Sequence, residues 1–400
     1  MRIYIKSLEN LETRYTCQWE KGIPEDIKKY IEEKLKKEAV IIHDDDFLTK
    51  RNDLDNFFEK YEIVNIKGTN TDQDLKGTTF LDFVGTNQWK SSQLINFCNL
   101  IKNNLIKDND IIIFPDAWDP TIIQLKYMFD LQKIKVKMIG IWHAGSYDKN
   151  DFLGREIKDK KWVRSVENAL YNILDHNCFA TNYHVNIFSN IFIDNSYDYK
   201  YFLEDRYEFI ENEKRKRKII VSGQPHNELL NQLNPYLNTN INSKEKIFLF
   251  PHRLAAEKQL DIFLDLKQYF PDYNFIVCQE KKLTKKEYHE LLAKSSFVFS
   301  ANLQETLGIA MMEAILVNSL IMVPDRLSYK EMYLDNFKYD SEWTINMYSY
   351  HHNKQKLINK IRENLMLYRE GKFDNLIKKQ KEILIKNYLN AEKMYENIFT

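Results

Sequence analysis

The feature that most constrains this chain is alternation. Short apolar, β-branched runs are separated by longer stretches of helical spacing almost from end to end. Candidate strands fall at residues 3–5, 39–42, 61–66, 111–114, 137–141, 178–180, 219–221, 247–250, 274–277, 297–299 and 320–323. Between them lie helical stretches such as 24–37, 91–106, 161–174, 260–269, 285–294 and 307–316. Parallel neighbours need a long crossover and a helix supplies it, so this repetition implies α/β architecture with parallel sheets. At 400 residues the chain is long enough for two domains. The polar segment 229–246, with its Asn-Pro and Asn-Ser steps, is the best linker. One Rossmann-like domain over 1–235 and a second over 245–382 are therefore expected.

Charge and cysteine usage narrow the function classes. Lys plus Arg and Asp plus Glu each total 58, so no global field exists to hold a polyanion, and any such contact needs a local patch. Cys17, Cys98, Cys178 and Cys278 are scattered without a C-x-x-C pair, which argues against a zinc site or a disulfide scaffold and fits a reducing cytosol. The opening MRIYIKSLENLE lacks the apolar core of a signal peptide, and no apolar run approaches ~18 residues. A cytoplasmic protein without stable membrane insertion is expected; its oligomeric state is not readable.

Chemistry concentrates in two segments. In SANLQETLGIAMMEA, Glu305 and Glu313 have seven residues between them, and a Leu307-Gly308 step follows the first. Upstream, IFLF runs into PHRLAAEKQ, which sets Arg253 and Lys258 just beyond a strand end. A guanidinium and an ammonium neutralise a diphosphate, and amides at a helix N-terminus accept phosphate oxygens. Glycine lets the backbone approach closely, and a buried carboxylate takes both hydroxyls of a ribose. Polar residues also follow many other strand ends, including Asp116, His143, Asn182 and Gln224. Open α/β sheets bind ligands at such ends.

PHRLAAEKQLDIF and ETLGIAMMEA together resemble the Arg–Lys segment and the glutamate, seven-residue, glutamate motif of retaining GT-B glycosyltransferases; the likeness covers roughly 247–332. The resemblance implies two Rossmann-like domains facing across a cleft, with a C-terminal helix (383–400) crossing back to the first. It implies that Arg253 and Lys258 grip the diphosphate of a nucleotide-sugar, a UDP-sugar being the expected donor, and stabilise its departing charge. Glu305 then faces the donor sugar, Leu307 and Gly308 offer amides, Glu313 binds the ribose, and His143 faces the transferred sugar from the first domain. One departure is plain: Ser7-Leu8-Glu9-Asn10, after the first strand, has no glycine where many relatives carry a glycine-rich loop.

No cofactor or metal is expected, since the two cations meet the leaving charge. Asp44, Asp45 and Asp46 form the one cluster that suggests a divalent cation, and they read as an acidic loop. By the same resemblance the acceptor lies on the first domain. The basic run 214–218, with Lys216 and Arg217, and the aromatic-basic segment holding Tyr147, Arg155, Trp162 and Arg164 suit phosphate contact and base stacking. WHAGSYDKNDFLGR loosely resembles phage transferases that glycosylate hydroxymethylated pyrimidines. A modified base in phage DNA is thus the first acceptor expected, with Asp116, Tyr147, Trp162, Lys216 and Arg217 near it. A glycan or lipid-linked acceptor is the alternative, and an epimerase or a non-catalytic binding protein of the same fold is the reading from another class.

Overall fold

The computed structural model describes residues 1–9, 16–40, 61–69, 82–193, 199–281 and 283–399. Among these, two sheets form. The first holds β1 (Arg2–Lys6), β2 (Glu62–Ile66), β3 (Ile111–Phe114), β4 (Lys137–Ile141), β5 (His176–Phe179) and β6 (Ile219–Val221), in the order β2-β1-β3-β4-β5-β6. The second holds β7 (Glu245–Phe250), β8 (Asn274–Val277), β9 (Ser295–Phe299), β10 (Leu320–Pro324) and β11 (Lys338–Tyr339), in the order β11-β10-β9-β7-β8. Neighbours pair in parallel throughout. Helices cover both faces of such sheets, which is why β3 (IIIF) and β10 (LIMVP) are apolar and buried along their whole length.

The helices used below are α1 (Trp19–Val40), α2 (Phe83–Lys102), α3 (Thr121–Gln132), α4 (Phe152–Glu156), α5 (Lys160–Ile173), α6 (Tyr199–Arg215), α7 (Leu260–Leu266), α8 (Lys285–Lys294), α9 (Ile309–Leu316), α10 (Met347–Arg369), α11 (Asp374–Tyr388) and α12 (Glu392–Ile398). Strand alternation divides the first core. Ile3 and Ile5 point to the layer of Trp19, Ile23, Met394 and Tyr395, whereas Tyr4 points to the layer of Phe97, Leu125, Phe129 and Leu170. Each sheet has one point where the strand order reverses. The chain leaves β1 for β2 and returns as β3 on the other flank of β1; it leaves β7 for β8 and returns as β9 on the other flank of β7. Crevices open at the carboxyl ends of such strand pairs.

Two local expectations change. The helix expected over 24–37 starts earlier, at Trp19, and runs to Val40. Pro24 therefore sits inside it and cannot donate to the Glu20 carbonyl; Asn65 Nδ2 donates there instead, at 3.1 Å. The strand expected at 39–42 fails at its first two residues, because Ala39 and Val40 simply continue α1. The rest of that run lies outside the described residues.

The C-terminal segment does cross back, but as two helices. α11 packs on the second core through Ile377 and Leu384, and α12 packs on the first through Met394, Tyr395 and Ile398. Between them Ala391 takes φ +48° and breaks the helix. The crossing is tied to the segment after β6: Gln224 N donates to Tyr388 O (3.0 Å) and His226 N to Leu389 O (2.8 Å). Gly223, at φ +70°, lies so close that a Cβ would fall 2.7 Å from the Tyr388 backbone. Only glycine fits both demands.

Candidate functional site

The reversal point of the second sheet gathers the charged residues. Arg253 and Lys258 follow β7, and Glu305, Leu307 and Gly308 follow its neighbour β9. Lys258 is buried, and its Nζ donates to Gln304 O (2.7 Å) and lies 3.3 Å from Glu305 Oε2. Asn302 Nδ2 approaches the same Glu305 oxygen at 3.4 Å. Arg253 keeps about a third of its side chain exposed, and its Nη2 donates to Glu257 Oε1 at 2.8 Å. Gly308 caps α9 at φ +79°, where a Cβ would sit 2.6 Å from Tyr329 Cε1. α9 thus opens at the carboxyl end of β9, with the N-terminal amides that a helix leaves without intrahelical acceptors.

Glu313, on the buried face of α9, is held from α8. Tyr288 Oη donates to its Oε2 at 2.8 Å, while Lys285 Nζ (3.2 Å) and His289 Nε2 (3.4 Å) approach its Oε1. Burial alone raises this carboxyl. The Lys285 ammonium, His289 and the Tyr288 hydroxyl outweigh burial and hold it at about 2. It is an ionised acceptor throughout the neutral range.

The first sheet contributes the loop after β4. Asn150 Nδ2 donates to Leu303 O (3.0 Å), and Arg155 Nη1 bonds Glu257 Oε2 at 2.5 Å. Glu257 is therefore one buried carboxylate shared by two guanidiniums, one from each half of the chain. Asp148 and Asp151 lie on the same loop. Burial raises both; Lys258 opposes that rise at Asp148, and Arg253 opposes it at Asp151, which reaches about 6 with Asp148's charge adding to the rise. Buried Glu167 of α5 pins the loop by accepting from Ser146 N and Ser146 Oγ, both 2.6 Å, and from Trp118 Nε1 at 3.0 Å. Thr181 Oγ1 to Thr306 O (3.0 Å) and Asn182 N to Glu331 Oε1 (2.9 Å) close the same seam after β5.

His143 opens that loop. Its Nε2 bonds Pro115 O at 2.7 Å, and its ring lies 5.3 Å from that of Trp19. Trp19 also directs Nε1 at His226 Nδ1 (3.4 Å), which leaves the His226 proton on Nε2, toward Gln224 Oε1 at 3.1 Å. Burial keeps His226 neutral, at about 3. At the reversal point of the first sheet, Lys6, Glu9, Lys90, Asp116 and Asp119 line a small pocket together with Leu8, Trp89 and Phe114. Lys6 is paired with Asp119, Lys90 Nζ with Asp116 Oδ2 at 2.7 Å, and Glu9 accepts from Thr86 Oγ1 at 2.8 Å.

The acceptor-side expectations need correction. Tyr147 is 3% exposed, packed against Trp142 and Phe188, with its hydroxyl 2.9 Å from His184 Nε2. Aromatic neighbours and a hydroxyl partner make it core, and it cannot stack on a base. Of the run 214–218, Lys214 reaches the seam, where its Nζ donates to Asn182 Oδ1 at 3.0 Å, but much of the run's charge is met locally. Lys214 and Lys216 pair with Glu211 and Glu213, each at 3.0 Å and one helical turn back, and Lys218 donates to Asn172 O at 3.0 Å. Arg217 turns the chain at φ +58°, its carbonyl 2.7 Å from His176 Nδ1, at the openings of β5 and β6 rather than at their carboxyl ends. Trp162 is exposed on α5. Asp44, Asp45 and Asp46 lie outside the described residues; among those described, no group of three or more His, Cys, Asp or Glu is placed to hold a metal.

Sequence reasoning missed Glu257, Asp148 and Asp151. Glu257 was findable, since it stands four residues after Arg253 and one before Lys258. The aspartates were not, because only folding brings their loop against β7.

No protein-family model matches this sequence, and no curated protein does. Solved structures do. Sucrose-phosphate synthase from Thermosynechococcus elongatus superposes with a TM-score of 0.55 at 10% identity, covering 100% of this chain and 99% of that one. TarM of S. aureus, solved with fondaparinux, alpha-GlcNAc-glycerol and UDP, gives 0.49 at 17% identity, over 77% of this chain and 58% of its own. HepE of Anabaena, solved with UDP and glucose, gives 0.47 at 10% identity, over 100% and 99%. This chain spans less than two thirds of the TarM chain. The fold is GT-B: two Rossmann-like domains facing across a cleft, with the C-terminal segment crossing back so that α12 packs on the first.

Proposed function

We propose that this chain is a glycosyltransferase that takes a sugar from a nucleoside diphosphate, UDP in the first instance, and transfers it with retention of configuration. One observation carries the reading. Arg253 and Lys258 after β7, and Glu305, Gly308 and Glu313 after β9, meet at the reversal point of the second sheet. The diphosphate lies between the two cations and the N-terminus of α9, and Glu313 takes the ribose. As the glycosidic bond breaks, negative charge grows on the diphosphate. Arg253, Lys258 and the α9 amides bind that state more tightly than the ground state, which lowers the barrier. Glu305 is occupied by Lys258 and Asn302. It therefore orients the sugar rather than attacking it, and the leaving phosphate assists the incoming hydroxyl on the same face.

The acceptor in this reading is a hydroxyl of a glycan or lipid-linked glycan, presented near the charged residues Lys6, Glu9, Lys90, Asp116 and Asp119 at the first sheet's reversal point. Their paired charges suit sugar hydroxyls. The DNA base expected from the sequence loses Tyr147 and the run 214–218 as contacts, and nothing else favours it. Thermal unfolding with UDP, UMP and UDP-sugars tests the donor half: a ligand near 100 times its Kd stabilises by about 2.7 kcal/mol. No shift with any nucleotide diphosphate overturns it. Turnover of UDP-sugar to an altered free sugar would replace the transferase with an epimerase, and anomer analysis of the product tests retention. Full loss of activity with a chelator, restored by a divalent cation, would contradict the metal-independent chemistry proposed here.

A further inference from the structure

The outer layer of the first domain has a surface that the donor site does not use. α2, α3 and α5 connect β2 to β3, β3 to β4 and β4 to β5, and the strand order places all three on one face of the sheet. Of the fifteen large hydrophobic side chains exposed among the described residues, six stand on these helices: Val84, Ile95, Ile123, Tyr127, Leu131 and Trp162. On α3 they form a stripe, because Ile123, Tyr127 and Leu131 are successive i, i+4 positions and lie one above another. Tyr127 is 66% exposed and Leu131 61%, so the layer beneath, which already buries Ile122, Leu125 and Phe129, does not account for them.

The charge on these three helices is one-sided in a chain with no net charge; the acids of this sheet face, Glu208 and Glu211 among them, stand on α6 beside the edge strand β6. α2 contains no acidic residue; the only acid of α5, Glu167, is buried; α3 has one, Asp130, paired with Lys126. Against these stand Lys102, Lys160, Lys161 and Arg164, with Lys126 and Asp130 cancelling. Asp159, which precedes α5, is engaged as its cap, accepting from Lys161 N at 3.1 Å. Exposed Trp and Tyr beside aliphatics, with lysines and almost no carboxylates around them, match an interfacial surface: aromatic rings settle at headgroup level, and ammonium groups meet anionic phosphates. A protein partner of this chemistry would have to be acidic around an apolar centre, and nothing on the face selects a shape for one.

We propose that the outward face of α2, α3 and α5 docks the enzyme peripherally on an anionic lipid surface. Among the described residues no helix is long and apolar enough to cross a membrane, so attachment is by this face. α3 and α5 begin on the cleft side of the sheet, so docking sets the rim of the cleft beside the lipid. The inference stands apart from the donor reading and bears on the acceptor, which would then be lipid-borne.

The test is co-sedimentation of the full chain with vesicles of phosphatidylcholine alone and of phosphatidylcholine with phosphatidylglycerol. Binding is expected to the anionic vesicles and to fall as salt rises. The double substitution Tyr127→Ser/Leu131→Ser should weaken it by roughly tenfold or more, the loss expected for two apolar side chains that leave lipid. Lys126→Glu/Lys161→Glu should abolish the preference for anionic vesicles. The UDP-induced thermal shift should be the same in both double variants as in the parent chain, which shows the variants are folded and keeps this test separate from the donor site. No binding to either vesicle overturns the proposal, as does binding that neither pair alters. Concentration-dependent self-association lost in the Tyr127/Leu131 pair, without vesicle binding, would assign the face to a second copy instead.

Discussion

Replacing Asp151 by Asn should stabilise the protein, by a gain that grows from about pH 3.8 and is complete above about pH 6. Burial raises the Asp151 carboxyl from 3.8 to about 6. That difference makes the ionised form about 3 kcal/mol less favourable in the folded state than in the unfolded chain. The side chain keeps some contact with water, which trims the figure to ~2 kcal/mol. The sign follows from proton binding: between pH 3.8 and about 6 the folded state holds the proton and the unfolded state does not, so stability falls as pH rises through that window. Below it both states are protonated and the cost vanishes. Asparagine removes the charge and keeps an oxygen for Leu153 N, which Asp151 Oδ2 accepts at 3.1 Å. Thermal unfolding of both proteins at pH 5 and pH 8 measures the effect. The variant should gain several degrees at pH 8 and roughly half as much at pH 5. An equal change at both pH values, or a loss at pH 8, would show that the carboxyl is not held out of water beside Asp148.

Arg253→Ala and Lys258→Ala each remove a charge-assisted contact worth about 1.5–3 kcal/mol. In donor-hydrolysis kinetics the loss should appear in kcat more than in KM, because the charge they meet develops late. Unchanged kcat in both folded variants would remove the diphosphate assignment. Glu313→Ala should weaken UDP binding in calorimetry by tenfold or more while UDP-sugar turnover at saturation falls far less; equal UDP affinity would leave Glu313 as no more than a partner for Lys285.

The architecture was readable because it depends on features written locally. Near-continuous β-branched runs need cover on both faces, and helices of crossover length stand between them. Arg253, Lys258, Glu305 and Glu313 were readable for a related reason: each lies within a few residues of a strand end or helix start, so spacing fixes position. Asp148, Asp151 and Arg155 were not, because their place beside β7 is set by a loop that Glu167, nearly twenty residues onward, holds from another helix. Tyr147 misled in the same way: an aromatic among basic residues reads as a surface, and only His184 and Phe188 show it to be core. The break at Ala391 had no local signal, since alanine favours helix and the turn is imposed by the crossing at Gly223.

The charges around the donor crevice do not balance for an anion. Arg155, Arg253 and Lys258 face Glu257, Glu305, Asp148 and Asp151, so the site is already rich in carboxylates. A carboxylate within about 6 Å of a doubly charged diphosphate is repelled by about 5 kcal/mol at an effective dielectric constant near 20. Protonating a carboxyl that titrates at about 6 costs only ~1.4 kcal/mol at pH 7. Proton uptake is the cheaper response, and Asp151 is the group best placed to make it. Binding of UDP should therefore take up a proton at pH 7 to 8, with affinity rising as pH falls toward 6. Calorimetric titration in two buffers of different ionisation enthalpy counts that proton directly. Asp151→Asn should bind UDP more tightly at pH 8 and lose most of the buffer dependence. If wild type and variant take up the same number of protons, the proton goes elsewhere, and Asp151 does not share the crevice with the diphosphate.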